Sequence, residues 1–139
     1  MRIFRLASVL ALALLPTGAF AGDFATEALI RTIGVERQEQ AAFLEYCQCT
    51  VATAPSPEDI VSHLHEGLRA AKNAEEVESV RLYCTDSIAA HSFAERDRLN
   101  ILALGSLRAG RADEANALLK KVASIAELDR NLAERTCKL

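Results

Sequence analysis

The chain has 139 residues, a formal net charge of −3, four cysteines and no tryptophan. That length suits one domain. A mildly acidic balance with no Lys/Arg block lacks the electrostatic footprint of a nucleic-acid binder, so none is expected as a partner.

Residues 1–21 read as a cleaved signal peptide. Arg2 and Arg5 form a positive n-region and Leu6 to Leu15 an apolar h-region. Pro16 and Gly18 then interrupt it before Ala19-Phe20-Ala21, a small-x-small cleavage pattern. The apolar run is about half of the ~20 residues a membrane span needs, and no later stretch is apolar enough to serve. No cysteine follows the h-region at the cleavage point, which argues against a lipid anchor there. The mature chain is then a single helical domain, 22–139, expected in the periplasm or outside the cell. Loss of Arg2 and Arg5 takes its net charge to about −5. In such a compartment cysteines pair by default.

From Asp23 onward the apolar spacing is helical, and the expected class is all-α, a small bundle of about five helices. A first helix carries Phe24, Ala28, Leu29 and Ile33 on one side, with Gly34 bending or ending it. A second, about 35–54, places Phe43, Leu44, Cys47 and Val51 on one face, and Pro55 and Pro57 stop it. Ser56-Pro57-Glu58-Asp59 is a helix start, because Ser56 can accept from free N–H groups, Pro57 lacks an N–H where none is needed, and the carboxylates suit the positive end. Ile60, Leu64, Leu68 and Ala71 mark its buried face.

Asn73 caps the next helix, whose face carries Val77, Val80, Cys84 and Ile88 and which runs to about His91. Ser92-Phe93-Ala94-Glu95 matches a capping box and predicts a fresh helix with Leu99, Leu102, Ala103 and Leu107 inward. Gly110 closes that helix with a left-handed cap. A last helix from about Arg111 places Ala115, Leu118, Leu119, Val122, Ile125 and Leu132 inward, making an antiparallel C-terminal hairpin. No window alternates with period two long enough for a strand. Ala109-Gly110-Arg111-Ala112-Asp113-Glu114-Ala115 resembles the turn of a tetratricopeptide-like helix pair, over about one hairpin. Leu104-Gly105 sits about two residues too near that turn for the ~34-residue repeat, and no second copy follows, so ordinary hairpin chemistry explains it. Tyr46-Cys47-x3-Val51-Ala52 and Tyr83-Cys84-x3-Ile88-Ala89 also echo each other, as two equivalently packed helices would.

Four cysteines allow three pairings. On one helix, Cys47 and Cys49 would point about 200° apart and could not bond each other. The expectation is therefore Cys47–Cys84 and Cys49–Cys137, two structural staples that each contribute about 4 kcal/mol by chain entropy.

The chemistry-bearing patterns are few. There is no Gly-x-Ser-x-Gly, His-Glu-x-x-His, phosphate loop or haem motif, so neither an enzyme nor a cofactor is expected. Cys47-x-Cys49 with His63 and His65 suggests copper or zinc. Two histidines at i and i+2 on a helix point apart, however, so no metal site is expected. The Cys-x-Cys spacing is not the Cys-x-x-Cys of a redox helix start. Glu75, Glu76 and Glu78, and Glu95-Arg96-Asp97-Arg98, read as solvated faces.

By elimination the expected function is non-catalytic binding of a protein partner, as by an inhibitor, immunity-type protein or adaptor. The expected surfaces are around His63, His65 and Arg69, or at the hairpin tip around Arg108 and Arg111. One alternative is metal or redox handling at Cys47 and Cys49. Another is a helical scaffold that homodimerises through the Leu99 to Leu132 hairpin.

Overall fold

The computed structural model describes residues 21–138. The expected leader, save Ala21, lies outside the described residues. The fold is all-α, with α1 (Ala21–Cys47), α2 (Pro57–Ala70), α3 (Ala74–Arg108) and α4 (Ala112–Thr136), plus a 3-10 turn at Val51–Thr53. Among the described residues there is no strand, and no helix is long and apolar enough to cross a membrane.

The 35 residues of α3 form the spine, about 52 Å long at 1.5 Å per residue. The other three helices pack on it, each running antiparallel to it. Along α1, Leu29 and Ile33 meet Ala103 and Leu104, Arg37 meets Asp97, and Phe43 meets Tyr83. Along α2, Ile60 and Leu64 cluster with Cys84 and Ile88, while Gly67 faces Val80. Along α4, Ala115 and Leu119 join the Ala103 cluster, and Ala133 and Cys137 join that of Cys84. Two apolar cores result, one at each end of the spine. Each fully buried Leu or Ile in them contributes about 1.5–3 kcal/mol.

Local signals fix most helix ends. Ser56 accepts from the Asp59 N–H at 3.2 Å while Asp59 accepts from the Ser56 N–H at 3.3 Å, with Pro57 in the first turn. The Asn73 side chain accepts from the Glu76 N–H at 2.9 Å. Gly110, at φ 75°, ends α3, and the Arg111 N–H reaches back to the Ser106 carbonyl at 2.8 Å, the bond that a left-handed closing residue permits.

Two expected breaks are absent. Helix α1 passes through Gly34, whose helix cost of about 1 kcal/mol is small against the burial of Leu29, Ile33 and Phe43 on either side. Helix α3 passes through Ser92, because the Ser92 hydroxyl donates across to Asp129 of α4 and Glu95 pairs instead with Arg98 at 2.7 Å. One long helix therefore replaces two.

Helix α1 also ends earlier than expected, at Cys47. Gln48 takes a left-handed φ of 54°, and the Cys49 N–H donates back to the Leu44 carbonyl at 3.1 Å. Val51 thus leaves the helix and is exposed. Phe24, Leu102 and Leu132, expected inward, are exposed as well, each on a side of its helix left open to solvent.

The chain reversal at Gln48 corrects the disulfide assignment. The bonds are Cys47–Cys49 and Cys84–Cys137, with Cα separations of 5.2 and 5.8 Å, and not Cys47–Cys84 and Cys49–Cys137. The ~200° divergence of i and i+2 holds only where both residues are helical. With Cys49 one residue past a left-handed stop, the two sulfurs meet. Cys84–Cys137 ties the end of α4 to the spine and completes the second core.

Candidate binding cleft at the disulfide end of the bundle

Glu75, Glu78, Ser79, Leu82, Tyr83 and Asp86 recur at helical spacing and form one stripe of α3. Against this stripe comes Tyr46, from the last turn of α1. Together they line a cleft of about 300 Å³. The rings of Tyr46 and Tyr83 lie 6.0 Å apart. Phe43 backs Tyr83 from α1 at 5.7 Å and His63 flanks it from α2 at 6.3 Å. The aromatic cluster thus draws one residue or more from each of three helices. Immediately after Tyr46, the Cys47–Cys49 bond fixes the reversal that positions the end of α1.

Asp86 is the unusual member. It is 6% exposed, lines the cleft, and among the described residues forms neither a hydrogen bond nor an ion pair. Burial pushes its carboxyl up to about 7, and the Glu39 carboxylate on α1 adds to the effect. A buried carboxyl without a partner favours its neutral form until a positive charge is supplied. Glu39 is itself raised, first by burial and then by Glu36. At the outer part of the cleft, Glu78 is held low by its hydrogen bond to Arg81, at 2.7 Å. Burial also raises the Tyr83 hydroxyl.

A second polar cluster lies deeper between α1, α3 and α4. Arg96 donates to Glu36 at 3.2 Å, to Ser92 at 3.2 Å and to the Ala89 carbonyl at 3.0 Å. Asn100 donates to the other Glu36 oxygen at 3.2 Å, and Ser92 donates to Asp129. This corrects the reading of Glu95-Arg96-Asp97-Arg98 as a wholly solvated face, because Arg96 is buried within it. Each nitrogen of the Arg96 guanidinium, the Asn100 amide nitrogen and the Ser92 hydroxyl has a partner inside the fold, so the work of this cluster is to hold the helices together. Gln40, also buried on α1, has no hydrogen-bond partner for its Oε1 among the described residues.

The surfaces expected from sequence are not one surface. His63, His65 and Arg69 are exposed on α2 and Arg108 and Arg111 are exposed at the hairpin tip. His63 faces Tyr83, so Arg108 is about 37 Å farther along the spine at 1.5 Å per residue. Of the five, His63 alone enters the aromatic cluster. Arg111 pairs with Glu114 at 2.5 Å. Tyr46, Tyr83 and Asp86 are not among the residues that the sequence marks as a binding surface. The paired Tyr-Cys echoes were the available signal for the two tyrosines, while Asp86 looked like any helical carboxylate.

All four cysteines are in disulfides, and among the described residues no three His, Cys, Asp or Glu side chains converge as metal ligands. Compared with known proteins, the chain matches no family model, no curated protein and no solved structure.

Proposed function

We propose that the protein is an exported, non-catalytic binding module that engages a protein partner through the Tyr46–Tyr83–Asp86 end of the bundle. The observation that carries the reading is a 53% exposed Tyr46 standing at a cleft that also holds the buried, unpaired Asp86. Tyrosines beside a desolvated pocket are frequent anchors of protein interfaces. Two disulfides accord with export to an oxidising compartment, and they make the frame rigid, which lowers the entropic cost of binding. An inhibitor, immunity-type protein or adaptor would use such a frame. Metal or thiol chemistry at Cys47 and Cys49 would first require their disulfide to be opened.

The test is site-specific photo-crosslinking in the producing cell, with a benzophenone side chain at position 46 or at position 108. A discrete adduct from position 46, absent from 108, supports the reading. Adducts of equal yield from both positions, or none from 46, contradict it.

A further inference from the structure

We propose that the cleft between Tyr46 and the Glu75–Asp86 stripe of α3 is a receptor for an alkylammonium or guanidinium group. The inference rests on the partner-binding reading of this end and names the chemistry it recognises. Three observations converge on it. The most buried lining residue is a carboxyl, Asp86, with no hydrogen bond or ion pair to any described residue. Two aromatic rings, Tyr46 and Tyr83, stand 6.0 Å apart at the same cleft, and such faces attract cations. Glu75 and Glu78 line it too, so the local field is negative even after Arg81 neutralises Glu78.

The volume of about 300 Å³ suits the end of an alkyl chain with its charged head. An organic cation fits better than a metal ion, because these carboxylates do not converge as a ligand set. An ammonium carries three donors and a guanidinium five, and either can meet Asp86 while its apolar stem lies against a tyrosine ring.

The titratable groups facing Asp86 are Glu39 and Tyr46 on α1 and Glu75, Glu78 and Tyr83 on α3, with His63 of α2 against the Tyr83 ring. A cation beside Asp86 favours its ionised form. Binding therefore releases a proton and strengthens between about pH 6 and about pH 8.

The experiment is NMR titration of the oxidised protein with butylammonium and butylguanidinium, following the Tyr46 and Tyr83 ring resonances, with neutral butyramide as control. Saturable shifts with the cations and not with butyramide are expected. They should weaken at least about tenfold in Asp86→Asn and several-fold in Tyr46→Leu, and stay unchanged in Asp113→Asn at the far hairpin tip. A short peptide containing lysine or arginine, titrated beside spermidine, then separates a protein side chain from a free polyamine as the source. Absence of saturable shifts at about pH 8, or equal shifts in Asp86→Asn, overturns the proposal. A position-46 crosslink without cation binding removes this inference and leaves the partner reading standing. Cation binding without the crosslink does the reverse.

Discussion

Arg96 of α3 and Glu36 of α1 meet at 3.2 Å with side chains only 10% and 13% exposed. Asp129 of α4 lies 3.9 Å from the same guanidinium, so one charge serves two carboxylates from different helices. Burial raises the pKa of both Glu36 and Asp129, and Arg96 opposes that rise in each. Arg96→Leu leaves two desolvated carboxylates without their cation, and a loss of about 3–5 kcal/mol is expected near neutral pH. Urea denaturation should show a smaller loss near about pH 4, where the carboxylates take up protons. An equal loss at both pH values would mean that only packing had been removed.

Asp86 gives stability a pH dependence of defined sign. Its folded-state pKa is about 7 against an ordinary 3.8, so the folded protein holds this proton more tightly than the unfolded chain does. The contribution is fully present below about pH 4 and is lost as pH rises through about 7. The whole interval corresponds to about 4 kcal/mol, and water entering through the cleft reduces the expected effect to about 1–2 kcal/mol. Asp86→Asn should therefore raise the melting temperature at pH 8 and leave it nearly unchanged at about pH 4. Comparing variant with wild type cancels the like-signed titrations of Glu36 and Asp129, while Glu39, coupled to Asp86, shifts with it. A variant less stable than wild type at pH 8 would refute the assignment.

Much of the frame was legible from local chemistry. Ser56, Asn73 and Gly110 each act at a helix end where their side chain or backbone freedom predicts. What the local pattern could not supply was the competition from other helices. Ser92 matches a capping box, yet Asp129, 37 residues away, captures its hydroxyl. Arg96 sits in a run of charges and reads as solvated, because burial by α1 and α4 leaves no mark in its neighbours. Gln48 hides the end of α1, since glutamine is a good helix former and only rarely takes positive φ. Missing that stop reversed the disulfide assignment. Asp86 has the same spacing as any exposed carboxylate, so its isolation became visible only with the fold.

The glycines separate close packing from backbone freedom. A Cβ at Gly67 would stand 2.9 Å from both γ-methyls of Val80, and a β-branched neighbour cannot rotate out of the way cheaply. Gly67→Ala should lose about 1–2 kcal/mol despite alanine's better helix propensity. Gly34 and Gly105 have nothing within 4 Å of such a Cβ, so alanine there should gain about 0.5–1 kcal/mol each. Thermal melts of the three single variants would show it, and a stabilised Gly67→Ala would contradict the α2–α3 approach.

The two disulfides should contribute unequally. Cys84–Cys137 spans 53 residues and Cys47–Cys49 spans 2, so chain entropy gives about 4 kcal/mol for the first and about 1 for the second. Replacing Cys84 and Cys137 together by alanine should lower the denaturation midpoint far more than replacing Cys47 and Cys49. The latter pair should instead disturb the Tyr46 resonances, since it fixes the reversal at the end of α1.

Both the frame and the cleft depend on which cysteines are joined, because Cys47 follows Tyr46 and Cys84 follows Tyr83. The decisive measurement is peptide mapping of the protein purified and digested with trypsin without reductant. The account predicts a closed Cys47–Cys49 ring within the single peptide 38–69, and a separate cross-link joining 82–96 to 136–138. A species linking 38–69 to 82–96 would contradict it, moving α1 against the spine differently and dissolving the cleft as described.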